Sequence, residues 1–116
     1  MERIEQLKSR TKNFALSVIK LVQSFSNNTA SWVLGKQLMR SATSVGANYR
    51  AACRARSPAE FYHKICIVVE EIDEVEYWLE LIKESGINED QSIDNIQKET
   101  IELIKIFATI KNKSKQ

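Results

Sequence analysis

The sequence predicts an all-α protein: an antiparallel up-down-up-down, left-handed four-helix bundle formed by residues 1–116 as a single domain. Glycine and proline together supply only 4 of the 116 residues, against a usual share of about 12%. Four segments carry apolar residues at steps of three and four, which is the spacing of a helix with one buried face. Because the stretches between them are short, consecutive helices should pack antiparallel.

The first helix is predicted over residues 3–25. Its apolar face, completed by a threonine, consists of Ile4, Leu7, Thr11, Phe14, Val18, Leu21, Val22 and Phe25. The polar residues 26–29 interrupt this pattern, and Asn28 or Thr29 can cap the helix that follows.

The second helix is predicted over residues 30–56. Its apolar face consists of Leu34, Leu38, Ala42, Val45, Tyr49 and Ala52. Small residues crowd the same segment, among them Gly35 and Gly46, and each glycine costs about 1 kcal/mol of helix stability relative to alanine. We interpret these small residues as the place where another helix approaches closely.

The third helix is predicted over residues 58–85. Ser57-Pro58-Ala59-Glu60 is a capping box with proline at the first helical position, in which Ser57 accepts from the Glu60 amide and Glu60 reaches back to Ser57. The apolar face has a 4-3-4-3-4-3 spacing: Phe61, Ile65, Val68, Ile72, Val75, Leu79 and Ile82. Gly86 then suits a left-handed cap.

The fourth helix is predicted over residues 89–113. Its apolar face, again completed by a threonine, consists of Ile93, Ile96, Thr100, Leu103, Phe107 and Ile110. The strict alternation of three and four residues favours shallow, left-handed helix crossings near +20°.

Charge is divided unevenly between the two halves of the chain. Residues 1–56 contain ten Lys or Arg and two Glu, a net charge of +8, whereas residues 57–116 contain seven Lys or Arg and thirteen Asp or Glu, a net charge of −6. Adjacent helices can pair these charges within one chain. Alternatively, the basic face of one copy meets the acidic face of the next, or the basic residues contact a phosphate backbone.

Several large apolar residues lie off the predicted buried faces. They are Trp32, Val33, Met39, Tyr62, Ile67, Val69, Tyr77, Trp78 and Leu81. A small bundle needs one apolar face per helix, whereas the third helix has nearly two. Because a second apolar face is typical of a partner-binding surface, we expect self-association and single out Tyr77 and Trp78.

A polar stripe lies beside the apolar face of the second helix, since Gln37, Ser41, Ser44 and Asn48 recur at 4-3-4 spacing. Buried polar side chains must find hydrogen-bond partners. Two interpretations stay open: a network that fixes helix register, or a subunit interface or small polar site.

Little in the sequence indicates enzymatic chemistry. Glu60 and His63 have the Glu-x-x-His spacing of di-iron bundles, but such sites need a second pair and two more glutamates. His63 and Cys66 can touch, but they lack an orienting third group. We therefore predict no catalytic, cofactor or metal site. Two cysteines are too few for a disulfide scaffold, and no apolar run reaches the length of a membrane span. For these two reasons we expect a cytoplasmic protein.

Three stretches resemble a bacterial four-helix-bundle family, the 23S rRNA intervening-sequence proteins. They are Gln37-Leu38-x-Arg40-Ser41-Ala42-Thr43-Ser44-Val45-Gly46-Ala47-Asn48-Tyr49-Arg50, Arg54-Ala55-Arg56-Ser57-x-x-Glu60-Phe61 and Glu76-Tyr77-Trp78-Leu79-Glu80-Leu81. The resemblance implies a left-handed up-down bundle that assembles as a homopentamer, and it does not imply an enzyme. A related branch contains the accessory proteins of diversity-generating retroelements, which bind a reverse transcriptase and nucleic acid.

We therefore expect a non-enzymatic, oligomeric scaffold or adaptor that is its own main partner. The alternative is a module that binds RNA or a ribonucleoprotein, associated with ribosomal RNA or a reverse transcriptase. The candidate interface or nucleic-acid-binding residues are Lys36, Arg40, Ser41, Ser44, Asn48, Arg50, Arg54, Arg56, Tyr77 and Trp78.

Overall fold

Four α-helices make up nearly all of the structure. This computed structural model describes residues 2–115, and its helices are α1 (Glu2–Gln23), α2 (Thr29–Cys53), α3 (Pro58–Glu84) and α4 (Ser92–Ser114). They form a body of 44 × 23 × 19 Å, and no strand occurs between residues 2 and 115. The predicted all-α four-helix bundle is confirmed. The left-handed crossing of its helices stays a prediction.

The close packing of α1 on α2 depends on two glycines. A methyl group on Gly35 would lie 3.0 Å from Cγ1 of Val22, and one on Gly46 would lie 3.3 Å from Oγ1 of Thr11. The later glycine of α2, Gly46, meets the earlier residue of α1, Thr11, so these two helices are antiparallel. The missing side chains at Gly35 and Gly46 therefore permit the close approach that the sequence predicts.

The four predicted apolar faces meet in one core. On α3, six of the seven residues of the predicted heptad are fully buried: Ile65, Val68, Ile72, Val75, Leu79 and Ile82. The seventh, Phe61, lies at the N-terminal end of the face and is half-buried. The aromatic rings of Tyr49 and Phe107 join α2 to α4, with centroids 5.4 Å apart in an edge-to-face arrangement. At the ends of the faces, Ile4 is exposed and Ile110 is half-buried.

The turn between α2 and α3 begins earlier than predicted, since α2 ends at Cys53 and not at residue 56. The backbone N–H of Arg54 donates to the Ala51 carbonyl oxygen at 3.1 Å, and that of Ala55 donates to the Ala52 carbonyl oxygen at 3.0 Å. These i→i−3 bonds tighten and end the last helical turn. Pro58 then confines the preceding residue to extended geometry. The chain needs residues 54–57 to reverse direction, so they cannot remain helical.

The Ser57 cap forms as predicted, but its reciprocal bond does not. The Glu60 amide donates to Oγ of Ser57 at 3.1 Å, whereas the Glu60 carboxylate accepts from the Arg56 amide at 2.6 Å. The predicted return bond from Glu60 to Ser57 is therefore wrong, because the carboxylate binds the amide of the preceding residue, Arg56. The physical reason is that the Arg56 amide follows the end of α2 and has no helical carbonyl to bind.

The turn between α3 and α4 uses one glycine and two side-chain caps. Gly86 has a φ of +77°, the left-handed conformation predicted for it. The Asn88 side chain accepts from the Asp90 amide, and the Asp90 carboxylate accepts from the Ser92 amide, both at 2.8 Å. These bonds hold residues 88–91 in a turn, so α4 begins at Ser92 and not at residue 89.

Candidate interaction surface

A charged cluster joins α2 to α3 near their middle. Arg40 donates to Glu74 Oε1 at 2.6 Å and to Glu71 Oε2 at 3.3 Å. The Ser41 hydroxyl donates to Glu74 Oε1 at 3.2 Å and accepts from the Trp78 indole N–H at 3.3 Å. We call Arg40, Ser41, Glu71, Glu74 and Trp78 the Arg40 cluster. It brings three of the predicted site residues together: Arg40, Ser41 and Trp78.

The Arg40 cluster combines buried and exposed groups. Ser41 is fully buried, and the Glu71 side chain is 11% exposed, whereas that of Arg40 is 53% exposed. A carboxylate buried to this extent destabilises the fold unless a cation and hydrogen bonds compensate it. Arg40 supplies that cation. The cluster therefore joins α2 to α3 through ion pairs and hydrogen bonds. For Ser41, this agrees with a role in fixing helix register.

The rest of the polar stripe is arranged in local groups. The Asn48 side-chain amide donates to the Ser44 carbonyl oxygen at 2.9 Å and to the Ser44 hydroxyl at 2.8 Å. Gln37 accepts from Nε of Arg40 at 3.4 Å. Between residues 2 and 115, no side-chain hydrogen bond links Ser44 or Asn48 to the Arg40 cluster. The stripe is thus two groups and not one continuous network.

The outward side of α2 is basic. From Lys36 onwards, its exposed residues recur at 4-3-4-3-4 spacing along α2 and its C-terminal cap, and are Lys36, Arg40, Thr43, Ala47, Arg50 and Arg54. We call these six residues the basic face. Arg40 is its only member with an ion pair within residues 2–115. The ammonium of Lys36 lies 5.1 Å from the ring centroid of Trp32. Arg56, the remaining predicted cation, is exposed just beyond this face.

The outward side of α3 is acidic and carries one aromatic residue. Its exposed residues recur at 3-4-3-4 spacing, and are Glu70, Asp73, Tyr77, Glu80 and Glu84. We call these five residues the acidic face. Tyr77 stands at its centre and is 54% exposed; its ring centroid lies 5.2 Å from that of Trp78. None of the four carboxylates makes an ion pair within the described part of the chain.

The second apolar face of α3 is narrower than the sequence suggests. Val69 and Trp78 are half-buried because they pack against the core, and Tyr62, Ile67 and Leu81 are half-buried as well. Exposed large apolar side chains are instead spread over all four helices: Ile4, Leu16, Trp32, Val33, Tyr77 and Ile101. On α3, Tyr77 is the residue left for a partner to cover.

Sequence reasoning missed Glu71 and Glu74, which it counted only among the thirteen acids of residues 57–116. A signal for Glu71 was present, because it lies three residues after Val68 and four before Val75, both on the buried face. A carboxylate at such a position needs a cation from a neighbouring helix. Glu74 is one turn further on and completes the same contact.

The groups that could carry chemistry are dispersed. Glu60 is engaged at the α3 cap, and His63 is exposed. A hydrogen bond with Cys66 raises the pKa of the Tyr62 hydroxyl, and burial raises the pKa of the Tyr49 hydroxyl. Cys53 and Cys66 are both free and half-buried.

Two further findings concern residues 2–115 only. No three His, Cys, Asp or Glu side chains are grouped closely enough there to hold a metal ion. None of the four helices is both long and apolar enough to cross a membrane.

Comparisons with known proteins support the four-helix fold. A crystal structure from Bacteroides thetaiotaomicron VPI-5482, described as a protein of unknown function from the S23 ribosomal protein family, is 34% identical and superposes with a TM-score of 0.83. The match covers 90% of this chain and 96% of that one. No curated protein matches the chain. The family model of the 23S rRNA-intervening sequence proteins matches residues 5–109, so the chain belongs to that family.

Proposed function

We propose that this protein is a non-enzymatic scaffold or adaptor that works as a homo-oligomer in the cytoplasm. In this assembly, the basic face of one copy docks on the acidic face of the next. The observation that carries the proposal is that two outward faces of one chain have opposite charge and little internal pairing. Opposite potentials on two surfaces guide their association and fix its register.

The composition of the two faces supports this mode of docking. Tyr77 is a large aromatic side chain with two acidic neighbours, Asp73 and Glu80, one helical turn away on either side. The centre of the basic face has small side chains, Thr43 and Ala47, where an aromatic ring can fit. Aromatic residues dominate interface energetics when they fill such a position and are enclosed by polar groups.

A contact of this kind uses two different surfaces and is therefore head-to-tail. A head-to-tail contact gives a ring when its rotation closes and a filament when it does not. The family resemblance implies five copies, so we propose a homopentameric ring. The free thiols of Cys53 and Cys66 agree with a reducing compartment.

Analytical ultracentrifugation of a matched pair of variants tests the docking mode. Tyr77→Glu and Lys98→Gln each change the charge of the chain by −1, but only Tyr77 lies on the acidic face. We expect Tyr77→Glu to shift the sedimentation coefficient towards that of a single chain and Lys98→Gln to leave it unchanged. Equal behaviour of the two variants would exclude Tyr77 as the anchor.

A second function is favoured by one observation. Lys36, Arg50, Arg54 and Arg56 lie exposed and make no ion pair within residues 2–115. Such cations can contact phosphates, so the alternative proposal is a module that binds RNA or a ribonucleoprotein, associated with ribosomal RNA or a reverse transcriptase. Arg40 supports it less, because its guanidinium is already held by two carboxylates.

Salt dependence separates the two proposals. Binding to a structured RNA through these cations would weaken steeply with salt, because each phosphate contact releases counterions. Neutralising Arg50 and Arg54 would reduce that salt dependence. No retention of the protein on structured RNA at low salt would reject the alternative and leave the scaffold.

A further inference from the structure

A cavity of about 1100 Å³ opens at the end of the bundle where α1 begins, α4 ends and residues 54–57 turn. All four helices contribute apolar side chains to its walls: Ile4, Leu7, Tyr49, Phe61, Ile106 and Ile110. We call it the end cavity. Its volume lies at the upper limit of small-molecule sites, which are themselves mostly apolar with a few polar groups.

Five cations surround the apolar walls: Arg3, Arg10, Arg56, Lys105 and Lys113. Two of them are paired. Arg10 is held by Glu99 through hydrogen bonds of 2.7 and 2.8 Å, and Lys105 lies 3.6 Å from Glu102. Within residues 2–115, the side chains of Arg3, Arg56 and Lys113 have neither an ion pair nor a side-chain hydrogen bond.

No carboxylate of the described chain lines the end cavity. Glu5 is a nearby acid, but it lines the adjacent groove between α1 and α4 and lies 3.3 Å from the ammonium of Lys8. The end cavity therefore combines apolar walls with an excess of positive charge.

We propose that the end cavity binds a free single-chain organic acid, with its acyl tail against the apolar walls and its carboxylate between Arg3, Arg56 and Lys113. A ligand needs both parts to match the site, since burying apolar surface stabilises the tail and arginine binds carboxylates through paired hydrogen bonds. A phosphodiester backbone would match the cations but leave the walls uncovered. This inference is independent of the proposed scaffold function, because the end cavity shares no residue with the basic or acidic face.

Calorimetric titration of the full chain with three probes tests the ligand class. Dodecanoate has both the tail and the negative charge, dodecyltrimethylammonium has a tail of the same length with a positive charge, and acetate has the charge alone. We expect dodecanoate to bind with one site per chain, at least about tenfold more tightly than the other two. Equal affinity for the cationic probe, or no binding of dodecanoate, would overturn the proposal.

A matched pair of double variants tests the location. Arg56→Gln with Lys113→Gln removes two cations at the end cavity, whereas Lys12→Gln with Lys98→Gln removes two exposed cations elsewhere. The first pair should weaken dodecanoate binding about tenfold and the second should not change it. Equal affinities would overturn the proposal, as would binding to anionic phospholipid vesicles without binding of free dodecanoate.

Cys53 provides a second readout that needs no cavity variant, because it lines the end cavity and Cys66 does not. In Cys66→Ala protein, saturating dodecanoate should slow alkylation of Cys53 by N-ethylmaleimide about tenfold. Unchanged alkylation would place the ligand elsewhere and overturn the proposal. A Cys53 that resists alkylation without any ligand would show that the thiol does not open into an accessible cavity, which also overturns the proposal.

Discussion

Arg40 on α2 and Glu74 on α3 are joined by an ion pair of 2.6 Å, and the same guanidinium reaches the buried Glu71 carboxylate at 3.3 Å. One arginine thus compensates a carboxylate that could not be buried alone. Among residues 2–115, the other cations of the basic face pair with no carboxylate. The basic face therefore contains both a structural arginine and cations that remain available to a partner, and mutations should separate the two roles.

Arg40→Ala should lower the free energy of unfolding by about 1–3 kcal/mol, because it leaves Glu71 buried without a cation. Lys36→Ala is the matched control, since Lys36 lies on the same face and should cost no more than about 0.5 kcal/mol. Urea denaturation of both variants provides the measurement. Equal losses for Arg40→Ala and Lys36→Ala would show that the Arg40 cluster does not stabilise the fold.

Gly35→Ala should lower the free energy of unfolding by about 1 kcal/mol, although alanine has the higher helix propensity. The added methyl group would lie 3.0 Å from Cγ1 of Val22, a stiff β-branched side chain. In a Val22→Ala background this clash disappears, so the same change should become neutral or stabilising. If Gly35→Ala stabilises the protein even with Val22 present, the packing of α1 on α2 is looser than described.

Asp90 should make the stability of the fold depend on pH. Its hydrogen bonds to Ser92, chiefly to the backbone amide, lower its pKa below the ordinary value of 3.8. Because the folded pKa is the lower one, the stabilisation is fully present above pH 3.8 and is lost as the pH falls through the folded pKa. Asp90→Ala should therefore lower the Tm at pH 7 and have little effect near pH 2.

The matched control for Asp90 is Glu89→Ala, because Glu89 is exposed and adjacent but has no side-chain hydrogen bond to the turn. Its Tm difference from the unmodified protein should not vary in the same way with pH. A Tm difference for Asp90→Ala that stays constant between pH 7 and pH 2 would contradict the assigned role.

Charge reversal tests whether the two faces meet. Arg50→Glu with Arg54→Glu should weaken the assembly at least about tenfold, because like charges then oppose each other across the contact. Adding Asp73→Lys and Glu80→Lys to the same chain restores opposite charges and should restore assembly. Sedimentation of the double and quadruple variants measures both effects. Failure of the second pair to restore assembly would mean that these faces do not contact each other.

Much of the fold could be predicted from the sequence, because burial of a helix face depends on local spacing. The six predicted core residues of α3 from Ile65 to Ile82 recur at alternating steps of three and four, and all six are buried. The closeness of α1 to α2 at Gly35 was predictable for a similar reason. A small residue inside an otherwise regular helix indicates a position where a neighbour approaches.

Features that depend on contacts between distant residues could not be predicted in this way. Glu71 looks like one acid among many, and its partner Arg40 is 31 residues away. The end cavity is built from residues as far apart as Arg3 and Lys113, so no local pattern indicates it. The end of α2 at Cys53 also depends on competition for backbone hydrogen bonds among residues 54–57, which composition does not resolve.

The mass of the particle in solution shows whether the chain assembles into the proposed ring. Light scattering coupled to gel filtration, at micromolar chain concentration, measures it without reference to shape. We expect a ring of five chains, each of 13.3 kDa. A particle of 13.3 kDa, the mass of one chain, would contradict it.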